Sequence, residues 1–206
     1  FSFCCISGFL LLVRKLGDGE HIRWLLPTGM VFALILLIRP VNATLLLAVP
    51  IVLGKDTWPT LTRLIEAKGT LLFALLLGFA VLFIQPLWWH AQTGNWFEWG
   101  YRGEGFHWGR PEVFKVLFGF RRGLFLWTPF FLLALLSALL LWKRDRVRSV
   151  SALAYWIINV YIISSWWIWY YGSGFGSRVF IDHFPVVVLP LALVLGVSLA
   201  LRRDSR

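Results

Sequence analysis

Long apolar runs, separated by short polar stretches, divide this chain. Residues 71–83, 124–141 and 185–201 form three such runs, and none of them contains a charged residue. Runs that approach about 20 apolar residues match the hydrocarbon thickness of a bilayer. A backbone in lipid must satisfy its own hydrogen bonds, which favours helices. The pattern therefore predicts an all-α fold, a polytopic transmembrane helix bundle with about six to seven spans.

The apolar runs also predict where the helices lie. We predict a short helix at 1–13 and further helices at 24–38, 41–53, 70–88, 124–142, 149–167 and 184–201. Residues 24–53 allow two interpretations, because Arg39-Pro40 interrupts the run and proline disfavours helix at the residue before it. The segment is either a tight hairpin with Arg39 near the outer surface or one long kinked helix. The hairpin is preferred because it keeps all the strongly basic loops on one side.

The basic residues predict the orientation. The predicted loops 14–23, 54–68, 143–148 and 202–206 contain 13 of the 20 lysines and arginines. Cytoplasmic loops carry such an excess. We therefore expect these loops to face the cytoplasm and the intervening loops to face outward. Segment 56–67 is predicted to lie along the inner membrane surface as an amphipathic helix, with Trp58, Leu61 and Leu64 towards the lipid.

Composition agrees with a membrane protein. The chain is 59% hydrophobic and 15% charged, whereas soluble domains have about 25% charged residues. The net charge of +10 comes from clusters between apolar runs, so nucleic-acid binding is not expected. The chain begins with Phe1 inside an apolar run. We therefore expect residues 1–206 to be part of a single transmembrane domain in a larger protein.

Two predicted outer loops, 89–122 and 169–183, differ from simple connectors because they are rich in aromatic residues and glycine. Nine of the 13 tryptophans lie at or beyond the predicted outer boundary, and three lie near the inner one. An ordinary aromatic belt populates both interfaces. Flat rings with a polar edge bind amphipathic ligands well, such as a sugar on a lipid carrier. The candidate substrate-binding residues are Trp99, Tyr101, Trp108, Trp169, Tyr170 and Tyr171.

A glycine-rich stretch leads to the main candidate for phosphate binding. Gly172, Gly174 and Gly176 precede Arg178, and such turns let a backbone approach a ligand closely. The planar donor group of arginine suits phosphate. The competing interpretation is an ion pair between Arg178 and Asp182, four residues later. Arg102, which lies between glycines in the other loop, is the second candidate.

Several side chains of the outer loops are possible acids or bases. They are Glu98, Glu104, Asp182, His107 and His183, and Glu104 is preferred because glycines flank it. The spacing of His, Cys and Asp predicts no metal site, and no cofactor motif is present. Whether a metal is required stays open.

Three segments resemble the polytopic GT-C glycosyltransferases, especially bacterial relatives of the protein mannosyltransferases and the Rgt-type lipopolysaccharide sugar transferases. Residues 39–42 resemble the Arg-Pro step between two membrane helices. Residues 101–129, with Gly103-Glu104-Gly105-Phe106 and Phe120-Arg121-Arg122-Gly123, are similar to the long outer loop of such proteins. Residues 169–178 are similar to a late outer loop.

The resemblance implies an enzyme of the bacterial plasma membrane. It would transfer a sugar from a polyprenyl-phosphate carrier to a glycan, lipid or protein acceptor at the periplasmic face. The family's acidic catalytic motif lies in a first outer loop that this chain lacks, so the general base is expected upstream. In such a reaction we expect Arg178, with Arg102 or Arg110 as further candidates, to stabilise the charge on the phosphate leaving group. The alternatives are a non-enzymatic transporter or binding protein for lipid-linked glycans, and a structural membrane subunit.

Overall fold

A computed structural model describes residues 1–19, 21–98, 100, 103–172 and 176–204, with side chains to Gly196 in the last helix. The described chain is predominantly helical, which confirms the all-α class. Its α-helices are α1 (Ser2–Gly17), α2 (Leu25–Ile38), α3 (Val49–Leu53), α4 (Thr57–Glu66), α5 (Lys68–Thr93), α6 (Val113–Phe118), α7 (Leu124–Trp127), α8 (Phe130–Leu140), α9 (Arg146–Ser164) and α10 (Phe184–Asp204).

Within the described residues, two helices are long and apolar enough to cross a membrane, namely α5 and α9. The 26 residues of α5 correspond to about 39 Å of helix. Only 11% of its most apolar stretch is buried, compared with 44% for α9. The outward side chains of α5 include Leu72, Phe73, Leu75, Leu76 and Phe79. An apolar surface of this extent fits lipid better than water, whereas a total of six to seven spans stays a prediction.

The helices fall into two compact units. The first contains Phe1–Ala43 and Lys55–Glu104, and therefore α1, α2, α4 and α5. In this unit α2 packs on α5 through small residues. A methyl group added at Gly29 would lie 3.7 Å from the Ala74 Cβ atom, and one added at Gly78 would lie 3.7 Å from the Ala33 Cβ atom. Gly29 and Ala33, like Ala74 and Gly78, are four residues apart, a spacing that lets membrane helices approach closely.

The second unit contains Thr44–Gly54 and Gly105–Arg206. Its central helix, α9, packs against α3, α6, α8 and α10. The ring of Phe131 on α8 meets three aromatic rings edge-on, with centroids 5.8–6.1 Å apart. These rings belong to Trp156, Phe180 and Phe184. Such pairs add to the free energy gained from apolar burial.

Buried polar contacts also join elements of the second unit. The Ser149 hydroxyl of α9 donates to the Ala138 carbonyl of α8 over 2.7 Å. At the start of α9, the Asp145 carboxylate accepts from the Arg148 backbone amide and pairs with its guanidinium at 3.2 Å. The same guanidinium donates to the Val52 carbonyl over 3.3 Å. It lies beside Gly54, where an added Cβ atom would be 2.9 Å from Nε.

Two segments that we predict to be continuous α-helices are irregular in the structure. The predicted helix 124–142 is interrupted at Thr128, whose backbone is not helical (φ −141°, ψ 71°), and α8 starts only after Pro129. Proline disfavours helix at the preceding residue. The predicted helix 41–53 is mostly a 3₁₀ segment, Pro40–Ala48, and only α3 is α-helical. The predicted break at Arg39 is confirmed, since its backbone is extended (φ −151°, ψ 106°).

The boundaries of other predicted elements shift by a few residues. Helix α5 continues to Thr93 and therefore includes the first residues of the predicted loop 89–122. Helix α6 lies within that loop. Helix α9 covers Arg146–Ser164 instead of 149–167, because the Asp145 side chain caps it at an earlier residue. The prediction that Leu64 of α4 faces lipid is wrong, since it packs against the buried Leu16, Leu25 and Ala74.

Candidate functional site

The second unit brings part of the long predicted loop 89–122 against the residues that lead from α9 into the second aromatic loop. Phe106 and Trp166 form a short antiparallel pairing. The Trp167 amide donates to the Gly105 carbonyl over 3.0 Å, and the His107 amide donates to the Ser165 carbonyl over 2.6 Å. These contacts begin where α9 ends at Ser164, so its free carbonyls are satisfied by the other loop. The end of α9 therefore positions both loops.

Five aromatic residues gather around this pairing, and we call them the aromatic cluster: Phe106, Trp108, Tyr161, Trp166 and Tyr171. The rings of Phe106 and Trp108 stack at 4.6 Å, and Phe106 meets Trp166 edge-on at 4.8 Å. Tyr161 stacks with Trp108 at 5.7 Å, and its hydroxyl donates to the Trp108 carbonyl over 2.8 Å. Trp108 remains 48% exposed. The cluster is thus fixed by the backbone, and part of the Trp108 side chain stays accessible.

Two adjacent arginines hold the turn at residues 169–172. The Arg121 guanidinium lies 3.7 Å above the centre of the Tyr170 ring, a cation–π contact. Arg122 is buried, and its Nη1 atom donates to the Tyr170 carbonyl over 2.6 Å and to the Tyr171 carbonyl over 3.4 Å. Hydrogen bonds from a charged donor are stronger than neutral ones. Arg122 therefore links the segment before α7 to the turn after α9.

The turn itself has an unusual backbone. Tyr171 adopts a positive φ of 48° and Gly172 a φ of 78°. A bulky residue rarely adopts this left-handed conformation, which costs about 1–3 kcal/mol and requires support from its surroundings. The Tyr171 hydroxyl donates to the Ile163 carbonyl over 2.9 Å, and Arg122 holds its carbonyl. The turn is therefore stabilised from both of its sides.

An apolar groove of about 340 Å³ opens beside the aromatic cluster. It is lined by Val113, Leu117, Phe125, Leu135, Trp156, Ile157, Val160 and Tyr161. Tyr161 belongs to both the groove and the cluster. The second unit thus has a continuous surface, apolar along the groove and aromatic with polar edges at one end. That arrangement suits a ligand with an apolar chain and a polar head.

The structure places some of the predicted site residues near this surface. Trp169 meets Tyr170 edge-on at 5.6 Å and lies against Gly119. The exposed Arg178 lies beside the turn, with Nη2 3.6 Å from the position that a Cβ atom on Gly172 would take. Glu104 is half-buried and belongs to the first unit. Three predicted residues, Trp99, Tyr101 and Arg102, lie outside the described residues.

One candidate acid or base is placed in an unexpected environment. His183 is 2% exposed, and its Nδ1 atom lies 2.7 Å from the Tyr155 hydroxyl, with which it shares a hydrogen bond. Nearby on α9, the Asn159 side-chain oxygen accepts from the Thr44 hydroxyl over 3.0 Å. His183 is therefore part of the polar interior of the second unit and not of the loop surface. Among the described residues, no three His, Cys, Asp or Glu side chains form a metal-binding group.

Sequence reasoning did not assign roles to Phe106, Tyr161, Trp166, Arg121 and Arg122. The arginine pair was visible as Phe120-Arg121-Arg122-Gly123, a charged step directly before an apolar helix. A charged side chain next to an apolar helix needs a polar partner within the protein. This rule could have indicated that one of the two arginines contacts the protein interior. Comparisons with protein-family models, curated proteins and solved structures found no match. The resemblance to GT-C glycosyltransferases therefore stays a prediction.

Proposed function

We propose that this chain is part of a polytopic membrane glycosyltransferase with about six to seven spans. It transfers a sugar from a polyprenyl-phosphate carrier to an acceptor at the outer face of a bacterial plasma membrane. The observation that carries the proposal is the continuity of the apolar groove with the aromatic cluster through Tyr161. A polyprenyl-phosphate sugar has the matching parts, namely a long apolar chain, a phosphate and a polar ring.

The orientation of α9 supports the outer location. Its 19 residues correspond to about 28 Å of helix, close to the thickness of the hydrocarbon core. Its first turn begins at Arg146, the last residue of the basic segment Lys143-Arg144-Asp145-Arg146, and its last turn contains Tyr161 of the aromatic cluster. A basic loop is retained on the cytoplasmic side. The aromatic cluster then faces the other side of the membrane.

Each part of the donor has a candidate partner. The groove residues would hold the first isoprene units, and the accessible part of the Trp108 side chain would contact the sugar ring. Arg178, beside the Gly172 turn, and Arg110, two residues after Trp108, are the candidate contacts for the phosphate. Arg102 remains a further candidate from the sequence.

The proposed reaction is an inverting displacement. The acceptor hydroxyl oxygen bonds to the anomeric carbon while the bond between that carbon and the phosphate oxygen breaks. The hydroxyl proton passes to a carboxylate, and the polyprenyl phosphate leaves with the bonding electrons. Arginines beside the phosphate stabilise the charge that grows on it. The resemblance favours a carboxylate upstream as the base, and Glu104 remains a candidate from the sequence.

The test measures transfer of a radiolabelled hexose from a polyprenyl phosphate in membranes that contain the full-length protein. Trp108→Ala is expected to lower transfer about threefold to tenfold through loss of aromatic stacking. Trp142→Ala is the matched control, because Trp142 is 47% exposed but lies beside Arg146 at the other end of α9. Equal effects of the two changes would contradict the proposed sugar position.

Two further outcomes concern the function itself. Unchanged transfer by Arg178→Ala would remove Arg178 from the scheme. Binding of the lipid-linked hexose without any transfer, together with its movement across vesicle membranes, would support the alternative of a transporter. Absence of both binding and transfer would refute the proposal.

A further inference from the structure

Helix α4 has two exposed apolar side chains on one face. Trp58 is 77% exposed and Ile65 is 63% exposed. They are seven residues apart, about two helical turns, and therefore lie on the same side of the helix. The next exposed positions around the helix carry Thr62 and Glu66. The exposed surface of α4 thus changes from apolar to polar around its circumference.

The opposite face of α4 is fixed to the first unit. Thr57 and Thr60 are buried, and Leu64 packs against the core formed by Leu16, Leu25 and Ala74. The Arg63 Nη2 atom donates to the Leu16 carbonyl in the last turn of α1 over 2.6 Å. These contacts fix the rotation of α4 and direct Trp58 and Ile65 away from the protein.

The position of α4 along the chain places this face at a membrane boundary. Ala67 (ψ 53°) separates α4 from Lys68, the first residue of the span α5. From Leu72 onward, α5 exposes apolar side chains, which a bilayer would cover. Across 55–68 the basic Lys55, Arg63 and Lys68 exceed the acidic Asp56 and Glu66 by a single charge, so the helix has only a weak net attraction for anionic lipid.

We infer that α4 lies in the headgroup region of the bilayer and inserts Trp58 and Ile65 between lipid chains, where it fixes the depth of α5. Two apolar side chains are too small a surface for a stable protein interface. The same pair is sufficient for an interfacial helix, which buries its apolar edge at the boundary of headgroups and chains. The inference rests on the proposed membrane location of the chain.

The test uses a fluorescent label that responds to lipid, attached to single cysteines. Cys4 and Cys5 are first replaced by serine, and cysteine is then placed at Trp58 or Ile65. Glu66→Cys, exposed on the polar edge of the same helix, is the matched control. The protein is reconstituted in neutral or partly anionic vesicles that contain lipids with a quencher near the headgroup or deep in the acyl chain.

Labels at positions 58 and 65 are expected to show at least about twice the quenching of the label at 66, mainly from the shallow quencher. The quenching is expected to be similar in neutral and partly anionic vesicles. Equal quenching at 58, 65 and 66 would overturn the inference, as would insertion that requires anionic lipid.

A label at Leu76→Cys on α5 separates this inference from the proposed membrane location. Leu76 is exposed on the span and is expected to respond to the deep quencher. A response at 76 without one at 58 and 65 would refute the interfacial helix alone. No response at any of these positions would refute the membrane location as well.

Discussion

Arg122 offers the sharpest test of how the site is held together. Arg122→Met keeps an unbranched side chain of similar length but removes every donor. The Tyr170 carbonyl would lose its 2.6 Å hydrogen bond and the Tyr171 carbonyl its weaker one. A hydrogen bond from a charged donor contributes about 1.5–3 kcal/mol. Part of that is offset because a buried charge no longer has to be desolvated, so we expect a loss of about 2 kcal/mol.

Hydrogen exchange followed by mass spectrometry can measure this loss at the turn. The Tyr171 amide donates to the Ile168 carbonyl over 3.1 Å, and the Trp167 amide to the Gly105 carbonyl over 3.0 Å. Both bonds open when the turn detaches. A loss of about 2 kcal/mol corresponds to exchange that is about 30-fold faster in the peptide covering 165–172. Arg122→Lys keeps the charge with a single-point donor, so an intermediate rate is expected.

The neighbouring arginine is the control. Arg121→Met removes only the cation–π contact with Tyr170, on an exposed side chain. Exposed contacts of this kind contribute about 0.5–1 kcal/mol, so exchange should rise only about twofold to fivefold. If Arg121→Met accelerated exchange as much as Arg122→Met, or if Arg122→Met had no effect, the buried hydrogen bonds would not be what holds the turn.

Three further changes test the packing of the units, each by thermal unfolding in detergent. Gly54→Ala should cost about 1–3 kcal/mol, because φ is +61° and the new Cβ atom would lie 2.9 Å from a guanidinium nitrogen. Gly69→Ala, with open space around it, should be neutral or slightly stabilising, and equal losses would refute the argument. Gly78→Leu should lower the midpoint by overpacking, at about 1–3 kcal/mol, whereas Gly78→Ala fits. Tyr155→Phe should cost about 1–3 kcal/mol because it removes the buried hydrogen bond between the Tyr155 hydroxyl and Nδ1 of His183; an unchanged midpoint would contradict this.

The sequence was sufficient to predict the helical class and several helices, because a long apolar run in lipid must satisfy its own backbone hydrogen bonds, which favours a helix. The sequence was not sufficient to predict where these helices are interrupted. Pro129 interrupts a run whose composition is apolar on both sides, and Pro40 begins a segment that is 3₁₀ instead of α-helical. Hydrophobicity determines which environment a segment prefers. The local backbone depends on single residues within it.

The candidate site was only partly predictable for a different reason. Aromatic content and glycine identified the two loops, and the structure joins the first of them to the residues just after α9 through the pairing of Phe106 with Trp166. That pairing connects residues 60 positions apart, and no local pattern specifies its register. Arg121 and Arg122 show the consequence. They are chemically identical neighbours, yet one is exposed over a ring and the other is buried against backbone carbonyls.

The difference between these arginines also bears on where a ligand can bind. Arg122 already donates to two carbonyls inside the unit, so its charge is committed to holding the turn. A ligand phosphate needs donors that can turn towards it without breaking such contacts. Arg178 is exposed beside the same turn, and Arg122 holds that turn through its carbonyls. Under the proposed function we therefore expect Arg122→Met to weaken phosphate recognition indirectly, whereas Arg178→Ala should weaken it without loosening the turn. Comparable hydrogen exchange in Arg178→Ala and the unaltered protein would separate the two roles.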